Sequence, residues 1–274
     1  MTTFERDGFT VVEVLIAVAI ASVLSGVLMA TISGQNRLQA EQDALALIEE
    51  TTRALADGLV PEVRAAGPGD IVRAESDRIV VRSDLSRAIV CEALPSGEID
   101  LYIYDAVEAA NLPRGFRGTA ISEPYEASFI YADGFTPTMS PSREAAANCR
   151  GNGADAPMIA PNPAFQRTSG WSTGFATPPG RGSVVRMYGT LTYELRDAAD
   201  GSGNLTVRRN TQEFATFLAP DARFEYVMAN GTTATDVRPP NLRDVRDVRL
   251  TATALGRVSG VPGRSVVHEV PLRN

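Results

Sequence analysis

The chain has 274 residues, of which 44% are hydrophobic and 22% charged, and its formal net charge is -7. This length suits one large domain or two small ones, and the apolar content excludes a disordered chain. The acidic balance argues against a nucleic-acid partner, because a phosphate backbone demands a basic face. The mean hydropathy of -0.06 hides an asymmetry, since Glu13 is the one charged residue between Phe9 and Ile32.

The apolar segment from Phe9 to Ile32 predicts a membrane-spanning helix. No proline interrupts it, and about 24 helical residues extend about 36 Å, enough to cross a hydrocarbon core of about 30 Å. A secretory signal peptide would have a cationic start and a shorter apolar region, whereas this chain begins MTTFERDG. The segment therefore favours a membrane anchor over a secretory signal.

Glu13 is unusual in such a helix, because a carboxylate costs roughly 2.5–3.5 kcal/mol at the centre of a bilayer. In one interpretation it lies near the interface and reaches lipid headgroups. The other interpretation depends on Gly8 and Phe9. If the chain is cut after Gly8, Phe9 gains an amino terminus, which lies one helical turn from Glu13 and compensates its charge. Between molecules, the carboxylate of one subunit would meet the amine of the next.

The sequence GFTVVEVLIA at residues 8–17 resembles the class III signal of type IV prepilins and type II secretion pseudopilins. The resemblance implies that a prepilin peptidase cuts between Gly8 and Phe9 and methylates the Phe9 amine, and that Glu13 acts in filament assembly. It also implies assembly with other pilins or pseudopilins through the N-terminal helix, on an inner-membrane platform. The leader departs from the family pattern, because acidic residues flank its one arginine and weaken the positive-inside bias.

Small residues recur every four positions in the same helix, which places them on common faces. Small side chains let helices approach closely in a membrane, so these faces are expected to pack against neighbouring helices. The alternative is that alanine and serine are simply common in this segment. The two sets are Ala17, Ala21 and Ser25, and Ser22, Gly26 and Ala30.

The helix is predicted to continue beyond the membrane to Asp57, as a stem of about 70 Å. Residues 35–57 contain no proline or glycine, and Asp57-Gly58 followed by Pro61 predicts the helix end. A break near Gly34, giving two helices, is the alternative. Apolar residues recur at helical spacing and predict one apolar face, formed by Leu38, Leu45, Ile48, Leu55 and Leu59.

Residues 58–274 are predicted to form an α+β head with a mainly antiparallel sheet packed on the C-terminal half of the stem. Short β-like runs alternate with turn residues, and Ser183–Leu195 and Leu205–Arg209 predict a hairpin. Val245–Ala254 has the alternation of a half-buried strand. The order of stem, hairpin and terminal strands resembles the large minor pilins of the PilW type and the minor pseudopilin J of type II secretion. The resemblance implies a type IV pilin-like fold.

Residues 111–182 contain more than half of the 17 prolines. A stretch this long without regular structure is unusual in a compact domain, so we predict either a functional surface insertion or a poorly packed excursion. Phe165, Trp171 and Phe175 would form a satellite cluster or an exposed contact surface. An exposed surface would suit an alternative function, that of a membrane-tethered adhesin or binding module using this insertion.

Cys91 and Cys149 are the two cysteines. In an oxidising compartment they are expected to pair, and two buried thiols are the alternative. No catalytic or metal site and no cofactor is predicted: His268, the one histidine, is expected to face water on a terminal strand, and zinc lacks a spaced set of ligands. The charge-balanced run from Arg243 to Arg249 predicts a solvated face.

Together these features predict a non-enzymatic structural subunit, a minor pilin or pseudopilin. By the family resemblance, the chain would cross the inner membrane once, with its head in the periplasm, and then enter a type IV pilus or a type II secretion pseudopilus. The head is larger than that of a typical major pilin, which favours a position at the filament tip or in assembly initiation. The predicted divisions are a leader at residues 1–8, a stem at 9–57 with its membrane segment at 9–32, and the head.

Overall fold

The computed structural model describes residues 11–67, 69–104, 117–123, 128–150, 163–255 and 263–272. It has one long N-terminal helix followed by a mostly antiparallel sheet. The predicted α+β, pilin-like class is therefore confirmed. Gly8 and Phe9 lie outside the described residues.

The stem is helical from Val11 to Ala65. Helix α1 covers Val11–Ala54, a π-helical turn covers Leu55–Leu59, and α2 covers Val60–Ala65. The helix passes through Gly34 without a break, so the two-helix alternative is wrong. The predicted end at Asp57-Gly58 is also wrong. Pro61 lies in the first turn of α2, where its missing N–H is tolerated, and the wider π turn before it lets the helix continue.

The sheet has fourteen strands among the described residues. They are β1 Ile71–Ala74, β2 Arg78–Ala93, β3 Ile99–Ile103, β4 Gly118–Ser122, β5 Ile130–Asp133, β6 Thr138–Pro141, β7 Phe165–Ser169, β8 Val184–Asp197, β9 Leu205–Arg209, β10 Gln212–Leu218, β11 Arg223–Met228, β12 Thr233–Ala234, β13 Val245–Ala254 and β14 Arg264–Pro271. The predicted hairpin is formed by β8 and β9. Tyr193 lies opposite Arg209 at one end of the pairing, and Asp197 lies opposite Leu205 at the other.

The long strands β2 and β8 pair with each other along most of their length and divide the head into two lobes. Their register shifts between Asp84 and Ser86, a bulge that bends the pair. On one side of the bulge the sheet continues through β9, β10, β13, β11 and β14, and this part forms the first lobe. On the other side it continues through β3, β7 and β6 and through β4 and β5, which form the second lobe.

The core of the first lobe lies between its sheet and the stem. The helix buries one face at four- and three-residue spacing, whereas Leu38 and Leu45 are 60% and 58% exposed. The predicted apolar face is therefore wrong at these two positions. The buried stem residues are Ala44, Ile48, Thr51, Leu55, Leu59 and Val63.

The second lobe contains most of the proline-rich residues 111–182 that the structure describes. They form four strands and a short helix instead of a poorly packed excursion. Trp171 and Phe175 are 1% and 5% exposed and pack in the core of this lobe with Phe135. Phe165 is also buried, in a small cluster beneath the helix. The satellite-cluster alternative fits these positions, and the exposed aromatic surface is contradicted.

Helix α3, Arg143–Arg150, packs on β3 and β7. The fully buried Asp100 carboxylate accepts hydrogen bonds from Asn148 Nδ2 at 2.6 Å and from Arg167 Nε at 2.8 Å. The neighbouring Cys149 forms a disulfide with Cys91 of β2, 58 residues away in sequence. A loop of this length stabilises a fold by about 4 kcal/mol in the chain-entropy account.

Candidate assembly site on the N-terminal helix

The first half of the stem makes no buried contact with the head. Every residue from Val11 to Gln39 is exposed, and the first buried residue is Ala44. The exposed side chains include Val12, Leu15 and Leu24, each more than half exposed. Leaving a Val, Leu or Ile in water instead of burying it costs about 1.5–3 kcal/mol. This half therefore requires a lipid or protein environment outside the chain.

The same helix satisfies the requirements for a membrane span. One helix in the described residues is long and apolar enough to cross a bilayer, and its most apolar window has a mean hydropathy of 2.5 with none of that window buried. A soluble core helix would be buried by its own domain. The helix is instead free to be surrounded by lipid or by other helices.

Serine and threonine hydroxyls in this segment are satisfied within the helix itself. Ser22 Oγ donates to the Ala19 carbonyl at 2.8 Å, and Ser25 Oγ donates to the Ala21 carbonyl at 2.7 Å. Thr31, which the sequence analysis did not single out, donates to the Val27 carbonyl at 2.9 Å. These bonds remove the cost of placing a free hydroxyl in hydrocarbon.

The two sets of small residues lie along two exposed faces of α1. The structure places Ala17, Ala21 and Ser25 at successive turns of one face, and the second set, Ser22, Gly26 and Ala30, lies likewise on another. At Gly26 no atom lies within 4 Å of an added Cβ position. Both faces are therefore open to close approach by another helix.

Glu13 lies in the first turn of α1. A carboxylate at this end of a helix is favoured by the partial positive charge of the unsatisfied N–H groups. With Phe9 four residues earlier, an amine at a new terminus would lie near the same end. The predicted cleavage and methylation residues, Gly8 and Phe9, lie outside the described residues.

The C-terminal end of the stem forms polar contacts with the first lobe, and the sequence alone did not predict them. Glu62 of α2 accepts hydrogen bonds from Arg209 Nε at 3.0 Å and from the Tyr193 hydroxyl. The bond to Glu62 raises the pKa of Arg209, and burial together with that carboxylate raises the pKa of Tyr193. Both donors thus keep their protons at neutral pH, and the stem is held by a charged anchor.

Gly58 lets the sheet approach the stem closely. A Cβ at this position would lie 2.0 Å from Phe214 Cζ, far inside van der Waals contact. Thr51 Oγ1 donates to the Thr216 carbonyl at 3.1 Å on the same strand, β10. The glycine read as a helix end is therefore a contact point between helix and strand.

His268 occupies a different position from the one predicted. On β14 it is half-buried, whereas Val267 is 56% exposed and faces solvent. Its Nε2 is enclosed and has no hydrogen-bond partner among the described residues, and burial lowers the pKa of His268. Among the described residues, no three His, Cys, Asp or Glu side chains are grouped so that they could hold a metal ion.

The arginine- and aspartate-rich run ends in a surface ion-pair network. Arg249 donates to Glu269 at 2.6 Å and lies 3.8 Å from Glu225. The bond to Glu269 raises the pKa of Arg249. Exposed pairs of this kind contribute little free energy, and their role is that of a solvated face.

Comparison with known proteins identifies the N-terminal signal. Residues 5–29 match the model of the prokaryotic N-terminal methylation motif. No curated protein and no solved structure matches the chain at a significant level. The matched residues include Gly8, Phe9 and Glu13, and they run into the exposed apolar helix.

The motif, the apolar N-terminal helix and the α+β head together define the class of the protein. They support a type IV pilin-like protein with a class III signal. Such a signal implies processing by a prepilin peptidase and assembly with other pilins. The exposed apolar helix, joined to this signal, supports anchoring in a membrane.

Proposed function

We propose that this chain is a non-enzymatic minor pilin or pseudopilin. The observation that carries the proposal is the methylation motif at residues 5–29, continuous with a helix whose first half is apolar and exposed. A prepilin peptidase would cut between Gly8 and Phe9 and methylate the new amine. The remaining helix would then hold the subunit in the inner membrane until it enters a filament.

In the proposed filament, the stem packs against the stems of neighbouring subunits. The faces with small residues allow close approach, and Glu13 of one subunit meets the Phe9 amine of the next. This pairing neutralises a carboxylate that would otherwise be costly in an apolar environment.

The head is proposed to lie in the periplasm and then on the filament. An oxidising compartment agrees with the Cys91–Cys149 disulfide. A head of more than two hundred residues supports a rare subunit, at the tip or in assembly initiation, over the bulk of the filament. The order of strands supports a relation to minor pilins of the PilW type and to the minor pseudopilin J.

N-terminal sequencing of the protein co-expressed with a prepilin peptidase tests the proposal. We expect a mature chain that begins at N-methylated Phe9. The Gly8→Val variant should keep its leader, because the peptidase must accommodate the side chain of the residue that precedes the cleaved bond. The matched Gly34→Val variant should be processed normally. A mature start at any other residue would refute the assignment.

A further inference from the structure

A groove of about 690 Å³ lies beside β5 and has no stem residue in its lining. Its walls are β5 and the two residues before it, the start of β1, and the turn with Pro239 and Pro240. Among the described residues, β5 pairs with β4 and with no second strand. An open strand edge presents backbone N–H and C=O groups that can pair with another chain.

Apolar side chains line most of this groove. Ile130 of β5 is 62% exposed, one of few large apolar side chains in the head that are so accessible. A cavity of this volume falls in the usual range for ligand sites, which are mostly apolar with a few placed polar groups. The apolar lining includes Ile71, Phe129, Ile130, Tyr131, Pro240 and Leu242.

The polar wall of the groove is already satisfied by its own contacts. Arg82 donates to both carboxylate oxygens of Asp133, at 2.9 and 2.6 Å, and to the Gly69 carbonyl at 2.6 Å. Its guanidinium lies 4.3 Å from the centre of the Tyr131 ring. Burial and the Asp70 carboxylate raise the pKa of Tyr131 to about 12, so its hydroxyl stays a donor to Asp70. The wall is therefore pre-organised, which lowers the cost of binding.

Arg243 is the charged residue of the groove that forms no ion pair with the other described residues. It lines the groove and is exposed, and within the described part of the chain it has no ion-pair partner. The other charged lining residues, Arg82 and Asp133, neutralise each other. The groove therefore has an uncompensated positive charge beside an apolar floor and an open strand edge.

These features point to an extended, carboxylate-bearing peptide segment of a partner protein as the occupant. We infer that such a segment pairs with the edge of β5, places apolar side chains in the groove and directs an acidic side chain to Arg243. Strand addition of this kind takes its affinity from main-chain hydrogen bonds and its specificity from side-chain pockets. The inference goes beyond the proposed function, because it assigns the head a partner and makes no use of the stem.

A displayed library of random dodecapeptides tests the inference on the full-length protein in lipid nanodiscs. Selection is performed on the natural chain, with counter-selection on the Arg243→Glu variant. We expect enriched peptides in which apolar residues alternate and include an acidic residue. Synthetic versions should bind about tenfold more weakly to Arg243→Glu, a loss of about 1.4 kcal/mol, because the charge-assisted contact is replaced by a like-charge contact.

Two controls separate strand pairing at the groove from general charge effects. The Arg246→Glu variant changes an exposed arginine of β13 outside the groove and should bind the peptides as the natural chain does. N-methylation of two successive central amides of the peptide should abolish binding, because alternate N–H groups of a strand face its partner and one of the two is then a lost donor.

Several results would overturn the inference. Failure to enrich peptides over Arg243→Glu, selection of basic peptides, or binding that survives N-methylation would each contradict it. Unchanged thermal unfolding of Arg243→Glu shows that lost binding is not lost folding. The assay involves neither a peptidase nor a filament, so its failure is distinguishable from failure of the proposed function.

Discussion

Glu13 and Gly58 lie at opposite ends of the stem and have different physical roles. Glu13 is a carboxylate in an exposed apolar helix, where its cost depends on what surrounds the helix. Gly58 is a missing side chain at a helix–strand contact, where its effect depends on the fold of this chain alone. Each can be tested by one substitution and a matched control.

We expect Glu13→Ala to be processed normally and to enter filaments poorly. Cleavage depends on the leader and Phe9, whereas docking depends on the carboxylate that meets the amine of a neighbour. The measurement is the ratio of the protein in sheared filaments to that in membranes. Glu50→Ala removes an exposed carboxylate from the lower stem and should behave as the natural chain does. Normal incorporation of Glu13→Ala would contradict the docking role.

Gly58→Ala should lower the free energy of unfolding of the head by about 1–2 kcal/mol. The added methyl group clashes with the Phe214 ring, at a cost of about 1–3 kcal/mol, and the better helix propensity of alanine returns up to about 1 kcal/mol. Denaturant unfolding followed by circular dichroism measures the difference.

The matched control is Gly34→Ala in the same helix, where no atom lies within 4 Å of an added Cβ. It should leave the unfolding of the head unchanged. If the clash causes the loss at Gly58, Phe214→Ala should cost less in the Gly58→Ala background than alone. Equal stability of Gly58→Ala and the natural chain would show that the ring moves aside freely.

At the scale of elements, the two lobes are joined through β2, β5 and β8. Asp133 of β5 accepts hydrogen bonds from Arg82 of β2 and, at 2.7 Å, from the Tyr188 hydroxyl of β8. Nearby, the buried Arg186 of β8 pairs with Asp70, just before β1, and with Asp84 at the bulge. Charged contacts of this kind fix the arrangement of the strands, because separating the strands would leave a buried charge without its partner, which is costly.

Asp133 is expected to make stability depend on pH. The hydrogen bonds from Arg82 hold the pKa of the Asp133 carboxyl below its usual range. Because the folded pKa is the lower one, ionised Asp133 stabilises the fold above the unfolded value of about 3.9, and this contribution is lost as pH falls through the folded pKa.

The Asp133→Asn variant should therefore have a free energy of unfolding at pH 7 that is lower by about 1 kcal/mol. Its stability should also change less between pH 5 and pH 2, about the range over which such a carboxylate titrates. Fluorescence of the single tryptophan, Trp171, buried in the second lobe, follows unfolding. Asp221→Asn changes an exposed carboxylate and should keep the natural pH profile. Identical profiles for Asp133→Asn and the natural chain would exclude this role.

Strands with a clear apolar alternation were predictable, and others were not. The patterns of β8, β9 and β13 predicted them close to their observed bounds. Residues 118–122, GTAIS, form the fully buried strand β4 between β8 and β5, and their small side chains give no periodic signal. Proline-rich surroundings hid β6 and β7 in the same way. These strands are defined by long-range pairing, which local propensity does not encode.

At the scale of the whole molecule, the head buries one face of the second half of the stem and leaves the first half exposed. Burial begins at Ala44, so a chain that begins at Gln35 should be soluble and should unfold at the same denaturant midpoint as the full protein. Circular dichroism and sedimentation measure both properties. The full chain requires detergent or lipid because its remaining apolar half has no partner in the head.

A longer truncation provides the comparison. A chain that begins at Thr52 lacks Ala44, Ile48 and Thr51, which the head buries, and should lose about 3 kcal/mol or more of unfolding free energy. If both truncations are equally stable, the helix contributes nothing to the core above the π turn. If the chain that begins at Gln35 is already unfolded, contacts outside the described burial pattern hold the head together.

The sequence by itself determined the class of the protein, because a cleavage motif, a carboxylate and an apolar helix are local and need no folding to be recognised. It also determined the stem and the antiparallel character of the head, since periodicity reports one buried face. Only the tertiary structure decided which stem face is buried, excluding Leu38 and Leu45, and that residues 163–175 belong to a core. The groove beside β5 likewise depends on three segments distant in sequence. Such features arise from packing between remote residues, and no local pattern specifies them.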